Sequence, residues 1–72
     1  MDRFETASFC AYNDFLNGWL DWMDAYSILQ SLLLETGNPP DERSAPVISF
    51  MKLMETMIPD TVRRVGTTTR CI

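Results

Sequence analysis

Histidine is absent from this chain, and its only cysteines are Cys10 and Cys71. A structural zinc site takes about four cysteine or histidine ligands at close spacing, so no metal site can be built that way. Nucleophilic catalysis needs a serine or cysteine beside a base. The sole lysine, Lys52, falls on an exposed helix position with no evident buried partner. Gly18, Gly37 and Gly66 are too dispersed for a phosphate-binding loop. These absences argue against an enzyme and against a bound cofactor.

Cations are scarce in the first half, where Asp2, Glu5, Asp14, Asp21, Asp24 and Glu35 face Arg3 alone. The net charge of −4 is concentrated there, which disfavours nucleic acid or an anionic membrane as its partner. A long uncharged apolar run is missing too. The most apolar window, Leu16 to Leu34, carries Asp21 and Asp24, each costing about 2.5–3.5 kcal/mol at a span's centre. No membrane span is expected. The opening Met1-Asp2-Arg3-Phe4-Glu5 lacks the basic and apolar regions of an export signal. With two cysteines and no such signal, the expectation is free thiols in a cytoplasm.

What remains is 72 residues, 46% hydrophobic and 22% charged, enough for one folded domain. A chain this short buries only about 60% of its unfolded surface, so association is the expected aid to stability.

Proline is missing from Phe4 to Glu35, and apolar residues recur at Tyr12, Phe15, Trp19, Trp22, Tyr26, Leu29 and Leu33. Their alternating steps of three and four predict one long helix over 4–36. Asn17-Gly18 is the competing signal, since that pair often turns a hairpin. The flanking residues do not alternate as strands would, so the helix is read through Gly18, straight or slightly kinked. Gly37, Pro39 and Pro40 end it, and residues 37–44 form a loop. Ser44 suits an N-cap for a second helix over 45–58, with Pro46 in its first turn. Residues 59–66 fit a turn or short helix, and 67–72 a flexible tail.

The predicted class is all-α, an antiparallel helical hairpin pairing as a dimeric four-helix bundle. The reason is length. The first helix would be roughly 48 Å long and the second roughly 21 Å, so the leading helix outruns its cover. Phe4, Phe9, Tyr12, Phe15 and Leu16 would be stranded, with Trp19, Trp22, Met23 and Tyr26 beside them. These nine residues are the expected partner or dimer interface.

Asp14, Asp21 and Asp24 form a helical stripe, read as a solvated edge that orients a partner. Met51, Met54 and Met57 read as core filler. Arg63, Arg64 and Arg70 make a small basic cluster, best explained as compensation of a helix C-terminus. Function follows as an expectation. The chain is a non-enzymatic regulator or inhibitor, of the kind phages and plasmids encode, that occludes a surface of a larger protein. A structural assembly subunit is the alternative, and a nucleic-acid-binding dimer using the arginines is the third reading.

Overall fold

The computed structural model describes residues 3–57 together with 70 and 71. Its elements are α1 (Arg3–Leu16), α2 (Trp22–Glu35) and α3 (Ser44–Glu55), with no strand among the described residues. The all-helical class holds, but the described residues form three helices where two were expected. A single helix over 4–36 would also be longer than the molecule's largest dimension, 34 Å.

The long helix divides at Asn17-Gly18. Gly18 adopts φ 79°, a left-handed conformation that glycine enters without the clash a side chain brings. From there the backbone turns back on α1. The Gly18 N–H donates to the Phe15 carbonyl at 3.1 Å, and the Trp19 N–H donates to the Asp14 carbonyl at 2.8 Å. These are the paired bonds of a glycine-terminated helix end. Asp21 then opens α2. Its extended backbone sits at the N-cap, and Oδ1 accepts the Asp24 N–H at 2.7 Å.

Energetics explain why the break wins. A continuous helix would gain a few backbone bonds, each worth about 0.5–1.5 kcal/mol net, and the turn replaces several of them. Folding back lets Phe4 and Phe15 be buried, at about 1.5–3 kcal/mol for each large side chain.

Contacts at the helix ends fix an up-down-up path. Arg3 pairs with Glu35 at 3.6 Å, so α1 and α2 run antiparallel. Trp22 Nε1 donates to the Met54 carbonyl at 3.2 Å, and the Tyr26 hydroxyl donates to Glu55 Oε1 at 2.7 Å. Hence α2 and α3 are antiparallel as well. The Arg43 guanidinium lies 5.0 Å from the Phe4 ring centroid, while Phe9 meets Phe50 at 6.3 Å. α1 and α3 are therefore parallel neighbours.

Every helix contributes to one core: Phe4, Ala11 and Phe15; Ala25, Leu29 and Leu32; Val47, Met51 and Met54. Met51 and Met54 fill the interior as expected, with half-buried Met57 packed against it. The α2–α3 connection turns at Gly37, φ 102°. Asp41 organises its far end, accepting from Arg43 N at 2.9 Å and pairing with that guanidinium at 2.6 Å. Ser44 is not the N-cap; it lies inside α3, its hydroxyl donating to the Asp41 carbonyl. α3 stops at Glu55, short of the expected 58. The turn or helix expected over 59–66 lies outside the described residues, as does most of the tail.

Candidate functional site

The nine-residue aromatic interface expected from the sequence does not form one surface. Phe4 and Phe15 are buried in the core, because the turn at Gly18 brings α2 against the first half of the chain. The length mismatch that called for a second copy is thereby removed. Leu16 is half-buried against the core. Trp22 and Tyr26 stack at 4.8 Å between centroids, nearly parallel, and both are tied to the end of α3. The bond to Glu55 holds the Tyr26 hydroxyl above its ordinary value of 10.0, with burial and the carboxylate's charge adding to it.

Met23 is 74% exposed but isolated. Ser27 and Gln30 share its exposed face of α2 before Leu34 is reached. Single exposed apolar side chains of that sort are ordinary on a soluble surface.

What survives is a strip along the seam of α1 and α3. Phe9 is 50% exposed and meets Phe50 edge-on. Tyr12 packs on the same ring at 5.1 Å between centroids. Burial there raises the Tyr12 hydroxyl above its ordinary 10.0. Leu53, 45% exposed, lies one helical turn beyond Phe50. Glu5 stands one turn before Phe9 and is exposed. Phe50 and Leu53 were missed at the sequence level, although their spacing of three is visible there. A single long helix would have concentrated the N-terminal aromatics instead.

Comparison with protein families, curated proteins and solved structures finds no match. The strip must therefore be judged by its own chemistry.

The acidic stripe is likewise dispersed. Asp24 is exposed in the first turn of α2, and Asp21 serves as that helix's cap. Asp14 is fully buried, its Oδ1 accepting from the Asn13 side chain at 3.2 Å and from the Cys71 N–H at 2.8 Å. The helix break separates it from the others, so the three do not share a face.

Cys10 and Cys71 are joined in a disulfide, contrary to the expected free thiols. Their Cα atoms lie 5.2 Å apart, within the range a disulfide requires. Of the basic cluster, Arg63 and Arg64 lie outside the described residues. Arg70 stands over the Trp19 ring at 5.5 Å to its centroid, and the ring remains 44% exposed. No group of metal-ligating side chains occurs among the described residues, and no described helix is long and apolar enough to cross a membrane.

Proposed function

We propose that this chain is a non-enzymatic binding protein that regulates or inhibits a larger protein by covering part of its surface. The strip of Phe9, Tyr12, Phe50 and Leu53 is the contact face. One observation carries the reading: Phe9 and Leu53 stay about half exposed on adjoining parallel helices while all three helices bury side chains in one core beneath them. Aromatic anchors of this type supply much of the energy in protein interfaces. Glu5 at the strip's edge and the net charge of −4 favour an apolar groove with a cationic rim. The helices hold the anchors in place before binding, which lowers the entropic cost of docking.

The paired cysteines favour an oxidising compartment over the cytoplasm expected from free thiols. A structural assembly subunit would use the same face, and its mark would be a fixed stoichiometry. Nucleic-acid binding by a dimer through Arg63, Arg64 and Arg70 is the third reading, and its mark would be strongly salt-dependent binding.

The test compares the native chain with a Phe9→Ser, Leu53→Ser double variant whose helical content matches it. Tagged protein is recovered from its own cells, and co-eluting proteins are identified by mass spectrometry. A partner retained by the native chain and lost from the variant supports the proposal. Equal retention by both rejects the strip. Light scattering runs beside it, and a dimer that the variant abolishes would assign the strip to a second copy instead.

A further inference from the structure

Three contacts of different kinds hold Arg70 and Cys71 on the corner where α1 turns into α2. They are the bridge to Cys10, the Cys71 N–H on the buried Asp14 carboxylate, and the Arg70 guanidinium over Trp19. Neither residue is among the described side chains that build the core, and those come from the three helices. Only the bridge is covalent. The cation–π contact lies on an exposed ring and is weak there. Cys71 is an exposed residue and Cys10 a half-buried one, so the bridge lies at the surface on its Cys71 side.

We propose that Arg70 and Cys71 form a redox-governed latch, opened by a dithiol reductant while the three-helix body stays folded. One thiolate of the reductant attacks the Cys71 sulfur and the bridge breaks. Cys10 leaves as a thiolate and takes up a proton. The reductant's second thiol, deprotonated, then closes on its first sulfur and releases Cys71, which is protonated in turn. The dithiol becomes a cyclic disulfide, and the protein gains two electrons and two protons as two thiols. Opening withdraws the N–H donor from Asp14 and the cation from Trp19. The indole face beneath Arg70 then meets solvent, and Asp14 loses one of its donors.

The experiment uses the full isotope-labelled chain, oxidised and after dithiothreitol, with thiol alkylation confirming that both cysteines are free. The expected result is an unchanged helical circular-dichroism signal, a moved Trp19 indole resonance, and Cys71 amide exchange faster by about tenfold or more. Reoxidation should reverse all three. Loss of the helical signal with the bridge would make it a staple of the fold and overturn the latch. A Cys71 amide still protected once both thiols are free would overturn it equally. Cys71→Ser, studied without reductant, should reproduce the open state; failure of that variant to fold belongs with the first overturning result.

Discussion

Gly18 is the residue on which the fold's path depends. Its left-handed backbone ends α1, and a side chain there costs about 1–2 kcal/mol. Gly18→Ala should therefore lower stability by that amount, read as a fall in thermal midpoint of about 4–8 °C per kcal/mol. Asp41 offers a second test at the same scale. The Arg43 side chain, bonded to its carboxylate, holds Asp41 below the ordinary 3.8. A depressed carboxylate contributes stability above its unfolded value, and that contribution is lost as pH falls through the folded value. The expected outcome is an α2–α3 connection that loosens only below pH 3.8, seen as faster amide exchange at Arg43 and Ser44. In the Asp41→Asn variant that acid response should be largely absent.

At the scale of elements, α2 begins where Asp21 caps it, and Asp24 adds charge that suits a helix N-terminus. Asp21→Ala should cost about 1 kcal/mol, measurable by denaturant titration. The pair Asn17-Gly18 followed by Asp21 and Asp24 is a stop signal and then a start signal, and both stood in the sequence. The apolar steps of three and four continue across the gap and mask both signals. Periodicity cannot distinguish one helix from two whose connection preserves its phase. α3 was more legible: Met51 and Met54 sit inside as their spacing implied, and the turn formers fall in the connection, which ends one residue before the expected 44 because Ser44 opens α3. The site was harder to read. Phe4 and Phe15 look like surplus until the turn at Gly18 gives them a partner. Phe9 stays outside because its position on α1 points past the core toward the seam with α3.

For the whole molecule, the bridge between residues 61 apart in sequence weighs heavily. Closing a loop of that length restricts the unfolded chain and is worth about 4 kcal/mol on the entropy account. A domain of this size has roughly 0.05–0.15 kcal/mol per residue in all, so the bridge is a sizeable part of the total and the helical body holds the rest. Cys10→Ser should shift the urea midpoint downward by about 2–4 kcal/mol worth of stability while leaving the native helical signal in place. Such a covalent tie adds to a small core without building it, a supplement first expected from a second copy. By contrast, Phe9→Ser should change stability little, since that ring is half in water already.

The same bond encloses α2, α3 and the connection between them in one covalent ring. A protease that nicks the exposed stretch at Asn38 to Glu42 cuts the backbone without dividing the molecule. Both pieces should migrate as a single species on a non-reducing gel and separate only when thiol is added to the sample.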